Sequence, residues 1–199
     1  MMHHVRPEGP GSFEPNRILK VTPDFLEATI RQVSDAGFDI VSLDDAHARI
    51  GAGSGGGTSS GRPFACFTFD DGYKDNAVYA YPIFKRHGAP FAIYVPTDYP
   101  DGAGDLWWLV LEHVVGIAPE VVVQMDGAVQ RFPCGTVADK HDAFHRIYWW
   151  LRRIPEHRAR QVVRELAACV RFDPAELCRA LIMSWDEIRA LAADPLVTI

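Results

Sequence analysis

Apolar positions along the chain follow two periods. Phe25, Leu26, Ile30 and Val33 recur every three to four residues, the spacing of an amphipathic helix. Thr22 stands as its N-cap, Pro23 takes the first helical position, and Gly37 is the expected terminator. Residues 38–43 read as a short strand, followed by a short helix over 44–50. Residues 64–69, Phe-Ala-Cys-Phe-Thr-Phe, are continuously apolar and β-favouring, which suits a strand buried on both faces of a parallel sheet. Asp75 or Asn76 is expected to cap a helix reaching about residue 87 and closed by Gly88. Residues 91–95, Phe-Ala-Ile-Tyr-Val, are the next buried strand. Strand, helix and strand in such close succession make a βαβ unit, so the fold class is α/β.

The pattern changes over residues 101–183. An aromatic-rich helix is predicted at 105–116, and helices at 136–153, 156–170 and 174–182. Between them, 121–124 and 129–132 flank Met-Asp-Gly-Ala, a hairpin signal centred on Asp126-Gly127. The segment reads as a mostly helical insertion between strands. Ser184-Trp-Asp-Glu187 is a capping box opening a helix to about residue 193, and 196–199 begin another strand. Residues 51–61, GAGSGGGTSSG, read as a flexible loop and lack the lysine of a phosphate-binding P-loop. Residues 1–199 are thus read as a single domain carrying this loop and the 101–183 insertion.

Composition narrows the classes. The 199 residues are 48% hydrophobic and 23% charged, which excludes a wholly disordered chain, a collagen-like fibre and a disulfide miniprotein. Net charge is −6 and is spread evenly over the two halves, against nucleic-acid binding, which leaves a basic footprint. Cys66, Cys134, Cys169 and Cys178 form no C-x-x-C pair and read as free thiols of a reducing compartment. No apolar run approaches the ~20 residues of a membrane span, and MMHHVRPEGPG lacks the basic-then-apolar order of a signal peptide. A soluble, cytoplasmic protein with no membrane partner is expected.

The sharpest chemical feature is Thr68-Phe69-Asp70-Asp71-Gly72, directly after the first buried strand. Open α/β sheets and barrels place their sites at the carboxyl ends of strands. Two adjacent carboxylates push one pKa up unless a cation compensates them. A divalent metal would do so, leaving one Asp as ligand and the other as a base. Asp-Asp-Gly is also good turn chemistry by itself, and both readings stand at this point.

The stretch resembles motif 1 of the polysaccharide deacetylases, carbohydrate esterase family 4, also called the NodB-homology domain. Arg62–Tyr73, Pro82-Ile-Phe-Lys85 and Gly88–Val95 resemble that family, as do His3-His4-Val5, 38–43 and the Trp107-Trp108 segment. The resemblance implies a partial, distorted (β/α) barrel and metal-dependent removal of N-acetyl, in some members O-acetyl, groups from an acetylated carbohydrate. It implies Asp70 as general base, Asp71 as ligand of a divalent metal, usually Zn²⁺, and Gly72 and Tyr73 beside the substrate. The family's second motif, H-[S/T]-x-x-H, follows a strand written like 195–199, so the chain is expected to be an incomplete catalytic domain. The alternative is a degenerate member acting as a carbohydrate- or protein-binding module. Self-association through an exposed sheet edge at 196–199 is also expected.

Other residues are weaker candidates. His141 and His145 lie four apart on one helix face, as in zinc-binding helices, but lack the Glu of H-E-x-x-H. His3 and His4 could lie near a barrel mouth, although a pair so close to a terminus is usually solvated. The arginines between 146 and 171 read as solvated helix faces, and Trp107, Trp108, Trp149 and Trp150 as packing or as sugar platforms.

Overall fold

A computed structural model of the chain describes residues 1–9, 11–53 and 61–199. In chain order the elements are β1 (His4–Val5), β2 (Lys20–Val21), α1 (Pro23–Asp35), β3 (Asp39–Ile40), α2 (Leu43–Gly53), β4 (Phe64–Ala65), β5 (Phe67–Asp70), α3 (Tyr81–His87) and β6 (Phe91–Tyr94). They continue as α4 (Trp107–Ile117), β7 (Glu120–Met125), β8 (Ala128–Pro133), α5 (Val137–Leu151), α6 (Glu156–Cys169), α7 (Pro174–Leu181), α8 (Trp185–Ala192) and β9 (Val197–Thr198). The fold is a mixed α/β one with small sheets. It divides into two compact units: Met1–Glu8, Leu19–Asp101 and Leu181–Ile199 form the first, and Gly9–Ile18 and Gly102–Ala180 the second.

In the first unit the described strands pair in parallel: β1 with β2, β3 with β4, and β5-β6-β9 in that order. Met2 adds to the free side of β5, donating its N–H to Thr68 O (2.9 Å) and accepting from Asp70 N (3.0 Å). Alternation along β5 sends Phe67 and Phe69 into the core and leaves Thr68 and Asp70 on the other face. There Phe69, Phe84 and Phe91 pack with Val5, Leu26, Ile30 and Ile93.

The apolar run 64–69 is not one strand. β4 pairs with β3 and β5 with β6, so the chain changes neighbours at Cys66, whose thiol donates to Val41 O at 3.0 Å. The helix predicted at 44–50 runs from Leu43 to Gly53, with Ser42 Oγ accepting from Asp45 N. Of the glycine-rich loop predicted at 51–61, residues 54–60 lie outside the described residues. The helix predicted after Asp75 or Asn76 begins instead as a π-helical turn, Asn76–Ala80, that continues into α3. Asp75 makes no capping bond there, because its carboxylate is committed to β1 and the residue after it.

In the second unit the hairpin of β7 and β8 is antiparallel, with both turn residues left-handed (Asp126 φ 51°, Gly127 φ 85°), as a two-residue primed turn requires. Its inward residues Val121, Val123 and Phe132 join Val110, Leu111, Ile147 and Leu151 of the helices in one core. α4 starts at Trp107, two residues later than predicted, since Asp105 is drawn to Arg164 (2.5 Å) and Arg160 (3.5 Å). A capping box of Thr136 and Asp139 opens α5. The four cysteines are free thiols, and among the described residues no helix is long and apolar enough to cross a membrane.

One ion-pair cluster gives an acid-stability prediction. Asp194 accepts from Leu196 N (3.0 Å), Tyr81 Oη (2.7 Å) and Lys85 Nζ (3.0 Å). These donors, the Leu196 amide first, hold its carboxyl down at about 2 against an ordinary 3.8. A depressed carboxyl stabilises the fold above its unfolded value, and the contribution fades as pH falls from 3.8 towards 2. Asp194→Asn is therefore expected to melt lower than the native chain at pH 6 and to match it at pH 2. Denaturant titration at both values checks this, and an equal gap at both would contradict it.

Candidate active site

Asp70 ends β5 and Asp71 follows it at once. Asp71 has φ 74° and Gly72 φ 71°, so two successive left-handed residues turn the chain sharply away from the strand. That region is sterically costly for a side chain, and Asp tolerates it better than most because its short polar group bonds locally. The turn is pinned beyond it: Met183 N donates to Gly72 O at 3.0 Å, and Tyr73 bridges to Ile182. Asp70 and Asp71 therefore stand at the carboxyl end of a parallel strand on a turn that the surrounding structure holds. Such local strain is common at functional sites.

Gly72 is required there twice over. A Cβ would lie 3.2 Å from Val95 Cγ2 and 3.3 Å from Val95 Cγ1, on a backbone that costs an L-residue roughly 1–2 kcal/mol. Gly72→Ala is expected to destabilise the fold by at least that amount, and Val95→Ala to recover only the contact part. Thermal melts of the single and double variants read this, and a neutral Gly72→Ala would contradict it.

His3 and His4, expected to be solvated, are both engaged. His3 donates from Nδ1 to Asp71 Oδ2 at 3.0 Å. This bond, more than the nearby charges of Asp71 and Asp70, raises the His3 pKa above its usual value, against a partial opposing effect of burial. His4 is only 1% exposed and lies 2.7 Å from Asp75 Oδ2 through Nδ1. Burial holds its pKa below the usual value and outweighs the pull of Asp75. Arg6 also reaches Asp75, Nε to Oδ2 at 3.0 Å, and contacts His4 Nδ1. Tyr73 is fully buried, its ring centroid 3.6 Å from that of His4, so its ring faces the core in this structure.

His141 and His145 lie in the second unit. His141 meets the edge of Phe13 at 5.0 Å, and His145 Nε2 accepts from Trp149 Nε1 at 3.0 Å. Of the tryptophans, Trp150 is buried and donates to Asp126 Oδ1 at 3.0 Å, whereas Trp149 is exposed.

Among the described residues no three His, Cys, Asp or Glu side chains group to hold a metal ion. Asp71 and His3 come together, but a catalytic zinc uses three protein ligands. These residues alone do not fit a complete zinc centre, and Asp71 Oδ2 is already bonded to His3.

The sequence offers Asp75 and Asn76 only as helix caps and gives no sign of Arg6, whereas the three hold the segment that carries His3 and His4. The signal was an Asn heading Asn-Ala-Val-Tyr-Ala, where an apolar residue would serve a packed helix better.

No protein-family model and no curated protein matches the chain. Among solved structures it is similar to a de-N-acetylase from Aggregatibacter actinomycetemcomitans, at 15% sequence identity and a TM-score of 0.47. The match covers 100% of this chain and 51% of that one, so the chain spans about half the length of that structure.

Proposed function

We propose that this chain carries the water-activating part of a carbohydrate de-N-acetylase site, on parallel strands that form part of a distorted barrel wall. One observation supports the reading above the rest: Asp70 and Asp71 project from the carboxyl end of β5 on a strained, pinned turn, with His3 bonded to Asp71. The T-F-D-D-G wording of that turn, which resembles the polysaccharide deacetylases, supports reading the reaction as de-N-acetylation.

Asp70 acts as the base. It takes a proton from water as the water oxygen attacks the acetyl carbonyl carbon, forming the new C–O bond. The C–N bond then breaks, the departing nitrogen takes that proton back, and acetate and a free amine leave. Asp71 keeps His3 beside the reacting atoms. Tyr94 pairs with Asp70 in the strand register and is 55% exposed, so its ring can lie under a sugar face. No step here passes through a metal, because the described ligands do not complete a centre. With two such ligands the chain is expected to lose added zinc on gel filtration. Stoichiometric zinc retained by the native chain would contradict this.

The test is incubation with an N-acetylated chito-oligosaccharide, measuring acetate and free amine together. Equal amounts of both are expected. Oligosaccharide binding with neither product would replace the hydrolase reading by a binding module.

A further inference from the structure

We propose that Asn76 is a positioning residue that sets where His3 stands against Asp70 and Asp71; this rests on reading Asp70 as the base and Asp71 as the residue that holds His3 beside it. Met2 pairs with β5, whereas His4 and Val5 pair with β2, so the chain changes sheet partners at His3. Asn76 Nδ2 donates to the His3 carbonyl oxygen at 2.9 Å, holding the backbone at that crossing. The same Nδ2 also donates to Asp75 Oδ1 at 3.2 Å.

The neighbouring side chain completes the clasp. Asp75 Oδ1 accepts from Val5 N at 3.2 Å, and Oδ2 meets His4 Nδ1 and Arg6 Nε. Two adjacent residues on the turn that follows Asp70-Asp71-Gly72 thus hold His3, His4, Val5 and Arg6. Of these two residues it is Asn76, through its amide, that reaches the His3 backbone. From the backbone held there, the His3 ring reaches Asp71 Oδ2.

Packing alone does not call for an amide here. Asn76 is fully buried, and its Oδ1 has no hydrogen-bond partner among the described residues. A buried polar atom without a partner is destabilising, and an apolar side chain would avoid it. The residue also heads a π-helical turn, a rare conformation that is frequent at functional sites. An expensive residue on an expensive turn is consistent with a positional role.

The test replaces Asn76 with Leu, which keeps the branched shape in a somewhat larger side chain without a donor, and with Ala. Imidazole nitrogen spectra read the His3 ring directly. In the native chain His3 should show Nδ1 protonated. In either folded variant that signature should give way to a tautomer mixture, while His4 keeps its own. Acetate release should then fall about 10²-fold in kcat with KM unchanged. A folded variant with an unaltered His3 signature overturns the proposal. Should neither variant fold, the native chain still decides. The Asn76 side-chain amide must exchange slowly with solvent and show proximity signals to the His3–His4 backbone, and their absence overturns the proposal. A native chain that releases no acetate counts against the hydrolase reading alone, since the ring spectrum does not depend on turnover.

Discussion

Asp70→Asn is expected to lower the rate of acetate release by about 10²–10⁴-fold, the share a positioned base contributes. Asparagine keeps the shape of the side chain but cannot take the proton from water. Asp70's backbone N–H is held by Met2 O and its strand is paired on both sides, so neither contact is lost with the charge. The melting temperature of the variant should therefore stay close to that of the native chain. The substitution also separates the roles of the two adjacent acids. Asp71→Asn leaves Asp70 in place but weakens the bond that raises the His3 pKa, so the His3 ring, followed by its imidazole nitrogen signals, should titrate lower than in the native chain. A rate undiminished by Asp70→Asn would remove Asp70 from the chemistry.

Phe84→Ala is expected to cost about 3–5 kcal/mol, the range for removing a fully buried aromatic ring. Phe84 is fully buried on α3 and stacks on Phe91 at 4.4 Å. It also meets the edges of Phe67 at 5.3 Å and Phe69 at 5.9 Å. Two of these rings belong to β5, so the same ring that supports the core supports the strand ending in Asp70. Phe25, on α1 and 59% exposed, is the control: Phe25→Ala should stay within about 0.5 kcal/mol. Urea titration of both variants measures the difference, and similar losses would show that the core has been misplaced.

Much of the fold was legible because its signals are local. Thr22-Pro23 and Ser184…Glu187 cap their helices as written, and Asp126-Gly127 makes the expected hairpin turn. The break at Cys66 was not legible, because it depends on which strand lies alongside, and nothing in a run of apolar residues records that. The turn bearing Asp70 and Asp71 could be read from Asp-Asp-Gly. Its partner His3, 68 residues upstream, could not, since tertiary contacts, the pairing of Met2 with β5 and the Asn76 bond to the His3 carbonyl, bring the two together. Asp75 was misread for the same reason: an acidic residue before a helix suggests a cap, and its commitment to His4, Val5 and Arg6 is purely tertiary.

In the proposed mechanism Asp70 acts on water and does not itself attack the acetyl group. A single turnover in water enriched in heavy oxygen tests it most directly, with excess protein over N-acetylated oligosaccharide. Hydrolysis by a water that Asp70 deprotonates puts the label in the acetate and leaves the Asp70 carboxylate unlabelled. Label found in the Asp70 peptide by mass spectrometry, with unlabelled first-turnover acetate, would show that Asp70 attacks the acetyl group itself.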